Sequence, residues 1–224
     1  MSTDEGGTGG LRIVRFGPET LSCHVDEFRA LKYLGQRGQE LTDELAVRFQ
    51  DAIRLCERVA QPRGVARSFT IDREHPDGIV LEGSSLVLTG HNIARHLDGC
   101  ALACLLAVTL GMESERTIAR LQATNPLDAL LFDACASSMA EEAAQAASRR
   151  IAELADKVDL VPTKRFSPGF GDLPLELQDT FLQAIDAGKL LGIHTASSHL
   201  MTPMKSVTAI VGLKPTHSRA TTTP

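Results

Sequence analysis

Tryptophan is absent, Tyr33 is the only tyrosine, and with eight phenylalanines the aromatic share is 4%. So few rings leave little to stack on bases, and 28 acidic against 23 basic residues would repel a phosphate backbone. Nucleic acid is therefore not an expected partner. Long apolar runs are missing too. The longest, Cys100 to Leu110, contains Thr109 and is about half of the roughly 20 residues a membrane-spanning helix needs. Met1 to Gly10 is acidic and glycine-rich and lacks the basic-then-apolar layout of a secretory signal, so it is read as a flexible leader on a cytoplasmic protein. Its Gly6-Gly7-Thr8-Gly9-Gly10 run is no phosphate loop, because no strand precedes it and no Lys-Ser/Thr pair closes it. Five cysteines (Cys23, Cys56, Cys100, Cys104, Cys135) are odd in number and lie in apolar stretches, which predicts buried reduced thiols. Cys100 and Cys104 share a face by spacing, but His96 is the only obvious third ligand, so no metal site is expected.

What is present is aliphatic: 43% hydrophobic residues in a chain long enough to bury more than half its surface. Leu11 to Phe16 alternates as a short strand and Gly17-Pro18 breaks it; Val25 to Leu34 patterns as a short helix. Thr42 caps a second helix that Pro62 and Gly64 stop. Ser68 to Ile71, Gly78 to Leu81 and Ser85 to Leu88 predict a small antiparallel meander. His91 to Leu97 is a short helix, Ala101 to Leu110 a buried strand, and Ser114 to Gln122 a helix. Asn125-Pro126 opens a long alanine-rich helix to about Asp156. A Gly/Pro loop from Lys164 to Asp172 follows, then a helix from Leu173 to Ala187 and strands at Ile193 to His199 and Lys205 to Leu213. No glycine-rich first turn or strict strand-helix alternation marks a nucleotide-binding sheet. The expected fold is one α+β domain, 11–213, a mainly antiparallel sheet flanked by helices, with a flexible tail at 214–224.

The strongest local signal is Lys164-Arg165-Phe166-Ser167-Pro168-Gly169-Phe170-Gly171-Asp172-Leu173-Pro174. A loop opening onto a helix with an early proline offers backbone N–H groups and a positive dipole end to an anion. Arg165 adds a planar fork suited to a carboxylate, and Gly169 admits close approach to the backbone. A plain turn with a surface arginine satisfies the same residues.

Arg165 to Phe170 resembles the Arg-x-x-x-Gly-Tyr motif of the activation domain of cobalamin-dependent methionine synthase. Further stretches look like the stand-alone members of that family, in the same order: Leu31-Lys-Tyr-Leu-Gly-Gln-Arg-Gly38, Ile93-Ala-Arg-His-Leu-Asp-Gly99, Ala107-Val-Thr-Leu-Gly111, Leu121-Gln-Ala-Thr124, Asp133-Ala-Cys135 and Pro203-Met-Lys-Ser-Val-Thr-Ala-Ile210. The resemblance spans roughly 31–213. It implies an accessory subunit rather than an independent catalyst: a module that presents S-adenosylmethionine to a separate cobalamin-bearing methionine synthase. There, with an electron from flavodoxin or a similar donor, inert cob(II)alamin is reductively methylated to methylcobalamin. No acid–base or nucleophile cluster is needed, because a sulfonium methyl requires positioning only.

Carried over by motif, Arg165 clamps the ligand carboxylate, Ser167 and Gly169 contribute backbone contacts, and Phe170 stands where the family has tyrosine. Glu141, on the long helix, falls at an acidic ligand position, and Asp26 at an N-terminal one. Counting back from Met201-Thr-Pro203, Ser197 takes the place of the glutamate in the family's Thr-Glu-Ser, and the sequence ends before the family's tyrosine-bearing C-terminal segment. These departures define an alternative, a non-catalytic docking or chaperone module for a corrinoid protein that has lost S-adenosylmethionine. The corrin is expected to come from the partner. Asp72-Arg73-Glu74-His75-Pro76-Asp77-Gly78 misses the cobalt-ligating Asp-x-His-x-x-Gly loop by one residue and is read as a solvated turn.

Overall fold

The computed structural model describes residues 13–21, 24–35 and 41–216. The leader at 1–10, Cys23 and the tail beyond 216 lie outside it. In chain order the elements are β1 Val14–Phe16, α1 Glu27–Tyr33, α2 Asp43–Val59, β2 Arg63–Asp72, β3 Ile79–Leu81, β4 Val87–Leu88, α3 His91–His96, β5 Leu102–Thr109 and α4 Met112–Thr124. They continue with α5 Pro126–Asp156, β6 Leu160–Phe166, α6 Gln178–Ala184, α7 Ala187–Leu191, β7 His194–Thr195, β8 Met201–Thr202 and β9 Ser206–Pro215. The main sheet has the order β4-β3-β2-β5-β9-β6 with β1 also on β2, and every pairing is antiparallel. The expected α+β class, a mainly antiparallel sheet flanked by helices, is what forms.

β5 explains the layering. Seven of its eight residues are buried, so it carries apolar side chains on both faces and needs a cover on each. On one face Cys104, Leu106 and Val108 pack with Phe49, Ile53, Phe132 and Met139 of α2 and α5. On the other, Ala103, Leu105 and Ala107 meet Leu97, Phe181 and Ile210. α5 lies against the first face because its contact residues are small: Ala136, Ala143, Ala144 and Ala147 are fully buried. The Asn125 side chain accepts from the Asp128 N–H and Pro126 opens the helix, so it starts where the sequence places it. Among the described residues no helix is long and apolar enough to cross a membrane.

Four expectations about the elements change. Gly64 does not stop a helix but sits inside β2, which starts at Arg63; a Cβ there would meet the Ala107 carbonyl and the Phe16 ring at 3.1 Å, so glycine permits the close approach of β1. Leu160–Phe166 is a strand, and Lys164 to Phe166 belong to it rather than to a loop; Pro162 is tolerated because β6 is an edge. The helix expected over 173–187 divides into a 3-10 turn at Leu175–Leu177, α6 and α7, with Asp186 at φ +54° marking the break. Of Ile193 to His199 only β7 is strand, in a small hairpin with β8, while β9 runs on to Pro215 and takes in Lys214.

Cys56, Cys100, Cys104 and Cys135 are buried, and burial pushes the Cys104 thiol up to about 11 and Cys135 to about 12. Cys100 and Cys104 do not share a face: Cys100 precedes the strand and joins the second core, while Cys104 joins the first. Gly212, opposite β6, is packed against Cys100. A Cβ there would stand 2.5 Å from Cys100 Sγ and 3.1 Å from Leu97 Cδ2. Gly212→Ala should therefore destabilise by about 1–3 kcal/mol, the usual cost of overpacking. The denaturant midpoint measures it, and an unchanged midpoint would show that the contact relaxes freely.

Candidate functional site

The site begins with an irregularity in the β6–β9 ladder. Pro162 faces Leu213 and Arg165 faces Val211, so Thr163 and Lys164 together oppose Gly212. This is a bulge, two residues against one. Val211 belongs to the core under α5, and the bulge places Arg165 on that same face. In an unbroken ladder Arg165 would oppose Ile210, whose side chain lies in the other core.

On the α5 side Arg165 meets Glu141. Its Nη1 is 3.4 Å from Glu141 Oε2, and Nη2 donates to Oε1. The pair is half-buried, with 20% and 34% of the two side chains exposed. Beside it, α1 brings Asp26 as N-cap. Its Oδ1 accepts from the Arg29 N–H at 3.0 Å, and its carbonyl accepts from Ser138 of α5 at 2.8 Å. Arg29 Nη1 reaches Glu142 at 2.5 Å and Nη2 lies 3.5 Å from Asp26. Burial works against the Arg29 charge, but the Glu142 hydrogen bond and the charges of Glu142, Asp26 and Glu141 raise its pKa. Two guanidiniums thus alternate with three carboxylates. One and two turns before Glu141, Ser137 and Asp133 both bind Lys205 Nζ at 2.8 Å, which ties α5 to the start of β9.

Of the sequence-predicted residues, Asp26, Glu141 and Arg165 are brought together. Arg29 and Glu142 were missed; the signals available were the i,i+3 spacing of Asp26 and Arg29 and the adjacent glutamates on α5. The loop after β6 turns away from the cluster. Ser167 Oγ donates to the Thr208 carbonyl at 2.6 Å. The N–H groups of Gly169, Phe170 and Leu173 go to the carbonyls of Leu173, Ser167 and Phe170, so the loop closes on itself instead of offering these donors to an anion. Gly169 is needed at φ +86°, and the Phe170 ring is 67% exposed. Ser197 lies elsewhere, lining a cavity of about 680 Å³ with Asp179, Lys189, His194 and Thr195. There Asp179 accepts from Thr195 and sits 3.0 Å from His199 Nδ1. The cavity contains none of the residues of the Arg165 cluster, and we place the candidate site at the cluster because its charges are held on three separate elements. His75 sits in the turn between β2 and β3, 3.3 Å from the Asp77 N–H, as a local turn contact.

No family model matches the sequence and no curated protein does. Thirteen chains of solved structures match the fold. One is the crystal structure of the MetH reactivation domain bound to AdoHcy, at a TM-score of 0.70 and 18% identity, covering 93% of this chain and 80% of that one. This chain has the fold of the MetH reactivation domain.

In this reactivation-domain fold the ionic cluster is suited to a zwitterion. A guanidinium fork pairs with a carboxylate through two parallel donors, and the neighbouring carboxylates suit an ammonium group. Among the described residues no group of three or more His, Cys, Asp or Glu is placed to hold a metal.

The loop also braces the fold's other face. Asp172 accepts the N–H of His91 at 2.6 Å and of Asn92 at 3.1 Å, capping α3, whose own N-cap is Gly90. Desolvation opposes the charge, but these backbone donors prevail and hold the Asp172 carboxyl below its usual range. A depressed carboxyl stabilises above its unfolded-state pKa and loses that contribution as pH falls through its folded value. Asp172→Asn should therefore lower the unfolding midpoint and speed amide exchange at His91 and Asn92 near neutrality. The difference from wild type should close as pH falls through the depressed folded-state pKa of this carboxyl; a difference that stays constant through the acid range would exclude the carboxylate as its source.

Proposed function

We propose that this chain binds S-adenosylmethionine at the Arg165 cluster and acts as an accessory subunit of a separate cobalamin-dependent methionine synthase. The observation that carries the reading is the convergence of Arg165, Glu141 and Asp26 from three elements on a reactivation-domain fold. AdoHcy, bound in the structural neighbour, shares its amino-acid and adenosyl parts with S-adenosylmethionine. Arg165 takes the ligand carboxylate, while Glu141 and Asp26 face the ammonium. The guanidinium has five donors, so Glu141 does not exhaust it. Phe170, exposed on the loop that turns away from the cluster and lacking the family's hydroxyl, has no assigned contact with the ligand in this reading. Bound there, the ligand would supply an activated methyl group: with one electron from flavodoxin or a similar donor to the partner's cob(II)alamin, the sulfonium S–CH3 bond would break, the methyl would pass to cobalt to give methylcobalamin, and AdoHcy would leave. This chain's contribution is to bind and orient.

One observation favours the alternative of a docking or chaperone module without the ligand. The loop donors at Gly169 and Phe170 are already consumed internally, and Glu141 already occupies the Arg165 fork. Calorimetric titration separates the two. Under the first reading S-adenosylmethionine binds, and Arg165→Ala weakens it by about 1.5–3 kcal/mol, roughly ten- to a hundredfold in Kd, as for a lost charge-assisted hydrogen bond. No heat with folded protein up to millimolar ligand leaves the docking module. Affinity unchanged in Arg165→Ala removes that residue from the site.

A further inference from the structure

The bulge that turns Arg165 toward α5 has its own fastening, on the opposite face of the sheet. Thr163, the first bulged residue, points away from α5. Its Oγ1 accepts the Gly212 N–H at 2.8 Å, so a side chain takes up the β9 donor that the interrupted ladder leaves over. The same hydroxyl donates to the Lys164 carbonyl at 3.1 Å. Its third partner is His96 Nε2 at 3.0 Å, from the last turn of α3; with the hydroxyl proton assigned to that carbonyl, the Nε2–H tautomer is assigned to the imidazole. The imidazole also lies 5.2 Å from the Phe166 ring, centroid to centroid, tilted by 36°. His96 thus touches a residue on each side of Arg165: Thr163 two before it and Phe166 one after. Gly212 leaves room for the assembly, since a Cβ there would be 3.2 Å from Thr163 Cγ2.

We propose that His96 is a positioning residue for Arg165: by gripping Thr163 and Phe166 it holds β6 in the bulged register that presents the guanidinium to Glu141. Without the bulge, alternation would send Arg165 to the His96 side of the sheet and Phe166 toward α5. The ring acts as a neutral donor. Burial lowers its pKa, the carbonyls of Ile210 and Lys164 oppose that, and the charge of Lys214 on β9 adds to the lowering. Arg73 and Asp98 act on neighbouring Cys100. The inference deepens the proposed ligand site, and only its affinity arm rests on that reading.

The test uses three variants of the full chain. His96→Phe keeps a ring against Phe166 and loses the N–H, His96→Gln restores a donor, and Thr163→Val removes the hydroxyl. The direct readout is the Arg165 Nε–Hε resonance in a ¹⁵N-edited spectrum, assigned by its loss in Arg165→Lys. Its unpaired position is taken from Glu141→Gln. We expect His96→Phe and Thr163→Val to move it to that position, with His96→Gln near wild type. In the affinity arm His96→Phe should weaken S-adenosylmethionine about tenfold, the equivalent of one net hydrogen bond, and should add nothing to Arg165→Ala. If His96→Phe does not fold, Thr163→Val decides. A folded variant lacking the contact whose Arg165 resonance stays at the wild-type position overturns the proposal. If wild type binds no S-adenosylmethionine, the ligand reading fails while the resonance still decides the role of His96.

Discussion

Side chains along a strand alternate between faces, and where both faces are buried that alternation fixes the register. β9 is such a strand, with Ala209, Ile210, Val211 and Leu213 all buried. Ile210 belongs to one core and Val211 to the other, so β9 cannot slip by a residue without exchanging them. β5 is locked to it over eight paired residues. Every irregularity must then be absorbed by the edge strand β6, and it is, at Thr163 and Lys164. The candidate site takes its shape from a rigid pair of central strands that meets a bulged edge.

The ionic cluster inherits that division of labour. Glu141 and Glu142 come from a helix fixed by its alanine contacts, Asp26 and Arg29 from a short helix anchored through the Ser138 hydroxyl, and Arg165 from the sheet edge. Each acid has a base beside it, which offsets part of the desolvation that half-burial imposes. A zwitterionic ligand of the kind proposed would replace these partners in kind.

Local chemistry made some elements legible. Asn125 and Pro126 specify the start of α5 whatever surrounds it, and the apolar run of β5 needs no context to be recognised as buried. The motif carried Arg165, Glu141 and Asp26 to neighbouring places. What stayed hidden depends on partners distant in sequence. β6 has a proline and a bulge, either of which breaks the alternation by which strands are recognised, and only β9 beside it makes it a strand. Gly64 has the chemistry of a stop signal and serves instead as clearance for Phe16. Arg29 is an ordinary surface arginine until Glu142 arrives from 113 residues away. The loop donors looked available because nothing local says that Leu173 and Ser167 will claim them.

The self-contained loop from Ser167 to Leu173 has a thermodynamic side. A surface segment that must be ordered by its partner gives up conformational entropy at the moment of contact, and that loss is subtracted from the affinity. Here the ordering is complete beforehand, through backbone bonds within the turn, the anchor from Ser167 to β9 and the one from Asp172 to α3. Phe170 is therefore held out on a stiff mount, and whatever it meets meets a preorganised surface.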